Sequence, residues 1–362
     1  MLLAFGEVMM RITPPGVLRF RQALPGPLEC TFGGGEANVC GSLATLGYPV
    51  RYLTALPRTP ISESLVASLR GMGIDTRGIL LRDNGRLGLY FLEAGANQRP
   101  SRVIYDRAGA TVSQVGPEEY DFDAALDGVK RLHVTGITPA LSEPAFRTTL
   151  ALAEAAKSRG VTVSCDLNFR RKLWRWRSGA DPRALAHDCM AKILGHVDLV
   201  IANEEDAEQV LGIRAKGTSV ETGRIDPAAY GAVARQIHAQ FPNVLEVAIT
   251  LRESISASHN NWGAMYFHAR ANKTFFAPLD EQGNYRPYEI RNIVDRVGAG
   301  DSFAAGLIYG LDSDQCADAN SAIALAAAAS CLKHSIPGDM NYATLEEIRA
   351  LAGGIASGRV QR

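Results

Sequence analysis

Along most of the chain, short apolar runs alternate with longer stretches whose apolar positions recur every three to four residues. The short runs predict buried strands over 2–6, 50–55, 131–135, 161–166, 197–202 and 245–251. The periodic stretches predict helices over 63–70, 143–158, 183–194 and 227–240, followed by 301–311, 317–334 and 344–351. Strands that alternate with helices in this way predict an α/β fold: a mainly parallel sheet with helices on both faces.

Two regions break the rhythm. Residues 9–32 and 85–106 carry alternating segments without intervening helices, among them 87–93 and 102–105. They read as antiparallel strands outside the main sheet, and an ordinary edge hairpin fits the same pattern. The polar stretch ANKTFFAPLDEQGNYRPY, 271–288, reads as a surface loop. With no internal repeat or low-complexity linker, the expectation is one continuous domain over 1–362.

Composition narrows the function classes. Lys plus Arg and Asp plus Glu number 38 each, so no global field recruits nucleic acid or an anionic membrane. Hydrophobic content of 46% supports a large core, and 21% charged residues argues against disorder. Cys30, Cys40, Cys165, Cys189, Cys316 and Cys331 form no CxxC pair, which predicts free thiols in a reducing cytoplasm. The histidines lack metal-ligand spacing. Glu7 and Arg11 interrupt the apolar N-terminus, which reads as a first strand and not a signal peptide. The apolar stretch 322–332 is too short to span a bilayer. The basic-aromatic run RRKLWRWR reads as a solvated loop, not an RNA site.

The stretch richest in chemistry is DRVGAGDSFAAG, 295–306. Gly298, Ala299 and Gly300 lack bulky side chains, so successive backbone N–H groups can converge on one anion at a helix N-terminus. Asp301 follows at the helix start, where a carboxylate suits proton abstraction from an alcohol while a phosphoryl group is held. A simple helix cap also accounts for the Asp, though not for the glycines before it. A second glycine cluster, Gly33 to Gly35, leads through Glu36 and Ala37 to Asn38 and another helix. Polar residues also follow predicted strands, where open α/β sheets bind ligands: Asp166, Asn168 and Arg170 after one, Asn203 to Asp206 after another. Arg170 can grip a carboxylate or neutralise a phosphate. Neither a Walker P-loop nor a dinucleotide GxGxxG is present.

GGGEAN paired with DRVGAGD resembles the two signatures of the PfkB, or ribokinase-like, carbohydrate kinase family, and the resemblance covers nearly the whole chain. It implies a three-layer α/β/α fold with a small β lid, here 9–32 and 85–107, which in the family often doubles as a contact between copies. It implies ATP and magnesium as cofactors. Asp301 would be the base, and Gly298, Ala299 and Gly300 the anion hole. Around the nucleotide it implies Asn168, Arg170, Asn203, Thr250, Arg252, Ser254, Gly298 and Gly300. The family's NxxE motif, which organises magnesium, is replaced by Asn203 to Asp206, so Glu205 and Asp206 are the candidate metal residues; an acidic first helical turn is the other reading. Arg252 stands where TxGxxG has its first glycine.

FGEVMMRITPPG, GLYFLEAGANQRPSRVIYDRAGA and VSCDLNFRRKLW are most similar to the family's 2-keto-3-deoxygluconate kinase subgroup, in which Arg252 and Arg296 are at home. That similarity implies phosphorylation of the sugar acid's 6-hydroxyl. Gly34, Gly35, Asn38, Tyr90, Tyr105, Arg107, Arg170, Asp301 and Asp339 would meet the substrate. Taken alone, Tyr90 and Tyr105 also fit a lid core, and Arg107 and Arg170 surface ion pairs. A related kinase for fructose, ribose or a nucleoside, and a non-catalytic sugar-acid sensor, are the alternatives.

Overall fold

The computed structural model describes residues 1–203, 205–214, 227–314, 316 and 318–355. Its strands, in chain order, are β1 (Leu2–Phe5), β2 (Met9–Thr13), β3 (Glu29–Gly33), β4 (Val50–Pro57), β5 (Ile79–Arg82), β6 (Gly88–Glu93) and β7 (Arg102–Asp106). They continue with β8 (Arg131–Thr135), β9 (Thr162–Asp166), β10 (Leu199–Ala202), β11 (Glu246–Ser256), β12 (His259–His268), β13 (Lys273–Ala277) and β14 (Tyr288–Arg291).

The main sheet runs β13-β12-β11-β10-β9-β8-β1-β4-β5, with β14 also paired to β12. Every pairing from β5 to β11 is parallel; those beyond β11 are antiparallel. Successive residues of β1 enter opposite cores: Leu3 and Phe5 pack on one face, Leu2 and Ala4 on the other. The first face is covered by the helices Glu143–Ser158, Pro182–Leu194 and Pro227–Gln240, the second by Gly35–Thr45, Pro60–Gly71, Ala299–Asp312 and Ala319–Lys333. The result is three layers, α/β/α. Burial on both faces is why β1 and β10 read as unbroken apolar runs; β4 and β8 are buried along their whole length too, although Arg51, Arg131 and His133 interrupt their apolar sequence.

β3-β2-β6-β7 form a separate four-stranded sheet from the two segments that break the sequence rhythm. The β2–β6 pairing is parallel, contrary to the all-antiparallel expectation, and a short helix, Phe20–Ala23, lies between β2 and β3. In β2 the residues alternate, with Met9, Arg11 and Thr13 buried. β7 is exposed along its whole length.

The stretch 271–288 is not a plain loop. Its Thr274, Phe275 and Phe276 build β13, which pairs with β12. β12 itself escapes the sequence pattern because His259, Asn260 and Asn261 open it with polar residues. β11 runs five residues beyond the predicted end at Leu251, so Thr250, Arg252 and Ser254 lie within a strand and not at its end. The predicted helix 317–334 is observed as Ala319–Lys333; its first residue, Ala317, lies outside the described residues, as does Glu204. No helix among the described residues is long and apolar enough to cross a membrane.

Candidate active site

A cavity of about 310 Å³ opens at the carboxyl ends of β9 and β10, against the cavity-facing side of β11, beneath the four-stranded sheet. Its lining brings together Gly34, Gly35, Asn38, Tyr90, Tyr105, Arg107, Asn168, Arg170, Asn203, Asp206, Thr250, Arg252, Gly298, Ala299, Gly300, Asp301 and Asp339. Two of the residues expected there do not line it. Ser254 lies two residues further along β11, and Glu205 is exposed, its carboxylate accepting from Gln209 Nε2 at 3.1 Å. Position 252 sits mid-ladder opposite Trp262, and Arg252 lines the cavity at the place where the family's TxGxxG pattern has its first glycine.

The two glycine clusters serve different ends. A Cβ on Gly33 would overlap the Asp339 carboxylate, and one on Gly34 the backbone of Glu7. These glycines let β3 and the next helix pass close to other chain segments. Gly298 caps the helix Ala299–Asp312 with φ of +82°, and a side chain there would overlap the carbonyl of Asp339. Gly300 differs: a Cβ would meet nothing within 4 Å, because the position faces the open cavity. The first-turn N–H groups of this helix have no intrahelical acceptor, and the helix dipole reinforces them, so the end can bind an oxyanion.

Asp301 sits on that first turn. Asn38 donates from Nδ2 to Asp301 Oδ2 at 2.7 Å, and the Asn38 Oδ1 accepts from the Gly34 N–H at 3.2 Å. Desolvation pushes the Asp301 carboxyl up to about 6; Asn38, Arg170 and Lys333 pull the other way, and Asp339 adds to the rise. Asp301 is therefore tuned, not an ordinary carboxylate. Proton affinity near neutrality suits a group that takes up and releases protons at physiological pH.

Beside it lies a charge network that sequence reasoning missed. Arg11 donates to Asp295 at 2.6 Å and to Asp339 at 2.8 Å, all three side chains buried. Tyr90 donates its hydroxyl to the same Asp339 oxygen, so it is more than packing. One signal for Arg11 was available: it falls on the inward positions of β2, between Met9 and Thr13. Arg107 pairs with buried Glu7 and stacks over Tyr105 at 5.4 Å. Arg170, by contrast, is exposed, donates to the Phe169 carbonyl at 3.2 Å, and makes no ion pair among the described residues.

Asp206 accepts from the N–H groups of Phe169 and Asn203, both at 3.1 Å. Desolvation raises its proton affinity, as it does that of Asp166, where the charges of Asp206 and Asp301 add to the rise. No group of three His, Cys, Asp or Glu that could hold a metal occurs among the described residues. Asp206 and Asp166 both line the cavity, where a magnesium ion that keeps most of its waters needs few protein ligands.

The model of the pfkB family carbohydrate kinases matches residues 1–344. A 2-dehydro-3-deoxygalactonokinase of Haloferax volcanii is 31% identical over 356 residues, 98% of this chain and 98% of that protein. The crystal structure of 2-dehydro-3-deoxygluconokinase from Thermotoga maritima is 41% identical, with a TM-score of 0.86 over 98% of this chain and 99% of that one. A 2-dehydro-3-deoxygluconokinase of Bacillus subtilis is 26% identical over 85% of this chain and 82% of its own length.

Proposed function

The chain belongs to the pfkB family of carbohydrate kinases, and on that premise we propose that it transfers the γ-phosphoryl group of ATP to the 6-hydroxyl of 2-keto-3-deoxygluconate. The product is 2-keto-3-deoxy-6-phosphogluconate. The observation that carries this reading is Asp301, tuned to about 6, on the first turn of a helix whose Gly300 faces open cavity.

Asp301 takes the proton of the 6-hydroxyl as its oxygen bonds to the γ-phosphorus. The bond from that phosphorus to the bridging oxygen breaks, and ADP leaves with the electron pair. The N–H groups of Gly298, Ala299 and Gly300 hold the phosphoryl oxygens as charge redistributes among them. Arg107 and Arg170 meet the substrate carboxylate, the feature that separates a sugar acid from a neutral sugar. Gly34, Gly35, Asn38, Tyr90, Tyr105 and Asp339 orient its hydroxyls. Asn168, Asn203, Thr250 and Arg252 take the nucleotide phosphates. Magnesium, held through its waters by Asp206, would offset phosphate charge. Most of the rate enhancement comes from positioning and electrostatics.

In this reading the four-stranded sheet is a lid within a single domain, and Ile104, exposed on the face of β7 opposite the cavity-lining Val103 and Tyr105, marks the face a second copy covers. Light scattering of an Ile104→Lys variant checks that contact. Six free cysteines suit the reducing cytoplasm.

A coupled ADP-release assay tests the function, run on 2-keto-3-deoxygluconate, its C4 epimer 2-keto-3-deoxygalactonate, fructose and ribose. Turnover is expected with the sugar acids and little with the neutral sugars; preference for a neutral sugar would overturn the substrate assignment. Asp301→Asn should lower kcat by roughly 10²–10⁴-fold without loss of fold. Near wild-type turnover in that variant would remove Asp301 from the mechanism.

A further inference from the structure

Lys333 ends the helix Ala319–Lys333 with its side chain fully buried. Its ammonium donates to the Ile336 carbonyl at 2.8 Å, and no carboxylate lies within ion-pair distance of it among the described residues. Burying a cation without an ion pair destabilises a fold, whereas a methionine of similar length would fill the same space. Retention of charge at this place calls for another reason.

The place is the back of the glycine turn. The Lys333 Cε lies 3.3 Å from where a Gly298 side chain would start. The next residue stitches the helix end to the same segment: the His334 carbonyl accepts from the N–H groups of Val294, at 2.9 Å, and Asp295, at 3.3 Å. Gly338 N–H donates to Asp295 at 3.1 Å, closing the turn from the other side.

We propose that Lys333 is a positioning residue for phosphoryl transfer, a fixed ammonium behind the glycine turn that stabilises negative charge on Asp301 and on the phosphoryl group in front of it. This rests on Asp301 being the base. Groups acting on Asp301 come from every neighbouring element: Asn38 and Glu36 on the helix Gly35–Thr45, Asp166 at the end of β9 and Arg170 after it, Asp339 in the closing loop, and Lys333. Of the two cations, Arg170 lies on the exposed side and is screened by solvent; Lys333 is not. Desolvation lowers the proton affinity of the Lys333 ammonium, and nearby Arg11 adds to the fall, while Asp295, Asp339 and Asp301 pull the other way and favour the charged form.

Lys333→Gln tests this, since glutamine can still donate to the Ile336 carbonyl but carries no charge. The expected result is a kcat loss of about tenfold or more with little change in sugar-acid KM. The acidic limb of the kcat/KM profile should move up by roughly half to one pH unit, because a neighbouring cation no longer favours the Asp301 carboxylate. Lys333→Arg should return the limb toward its wild-type position. An unmoved limb in Lys333→Gln, with Lys333→Arg equally impaired, would mean the lysine only packs. Unfolding of both Lys333→Gln and Lys333→Met would overturn the proposal in the same way. Asp301→Asn run in parallel separates the two ideas: if it is inactive while Lys333→Gln titrates like wild type, only the inference about Lys333 fails.

Discussion

Asn38 and Asp301 stand 263 residues apart in the chain and meet through a 2.7 Å hydrogen bond from Nδ2 to Oδ2. Each belongs to one of the two glycine-rich turns, so this bond joins the two motifs at the centre of the cavity. It engages one carboxylate oxygen and leaves Oδ1 for a substrate proton. It also favours the ionised form of a carboxyl that desolvation pushes up to about 6.

Loss of that bond should therefore be visible in the pH profile. In wild type, kcat/KM should fall below about pH 6 as Asp301 takes a proton. Asn38→Ala should raise the midpoint by roughly one unit, since a hydrogen bond to a charged group contributes about 1.5–3 kcal/mol. A midpoint that stays in place would detach Asn38 from the tuning of Asp301.

The two outer glycines of the turn should separate function from folding. Gly300→Val places its side chain in open cavity, so turnover should drop at least 100-fold while the Tm changes little. Gly298→Ala forces a side chain at φ of +82° into the Asp339 carbonyl, so the Tm should fall, at a cost of roughly 1–3 kcal/mol. Thermal melts and initial rates on both variants decide it; a Gly300→Val that unfolds would make that glycine a packing residue.

Arg107 requires a paired design. Truncating it alone leaves Glu7 buried and uncompensated, a change that costs about 3–5 kcal/mol in comparable pairs and obscures any effect on substrate. Arg107→Ala combined with Glu7→Gln removes both charges. Its kcat/KM for the keto-acid should fall by roughly 10–100-fold, and activity on any accepted neutral sugar far less. Equal losses on both would assign Arg107 to shaping the lid.

Glu36 should make stability depend on pH. Buried with Thr135 and Thr138 donating to it at 2.8 and 2.9 Å, its carboxyl is pushed up to about 7 from 4.5, chiefly by desolvation. Between those values the folded chain holds a proton that the unfolded chain releases, so stability falls as pH rises through the window and levels off above it. Glu36→Gln keeps the neutral form at every pH. Its Tm relative to wild type should rise from pH 5 to pH 8. A difference that is flat with pH would show that Glu36 does not carry this dependence.

Local patterning determined the layered α/β fold, the helices behind both glycine turns and the place of Asp301. Each depends on neighbours within a few residues: strand period, helix period, and a turn that only small residues tolerate. The four-stranded sheet was legible as a break in rhythm, but the parallel pairing of β2 with β6 was not, because strand partners are chosen by the folded chain. β12 and β13 were hidden for a related reason: polar residues at an antiparallel sheet end weaken the apolar signal there. Only tertiary structure decided the charges. Arg11 reaches Asp295 and Asp339 across 284 and 328 residues, Arg107 reaches Glu7 across 100, and Lys333 settles behind Gly298. A charged residue looks the same in sequence whether it faces solvent or interior; its partners and its loss of water, which set its chemistry, exist only once distant segments have packed together.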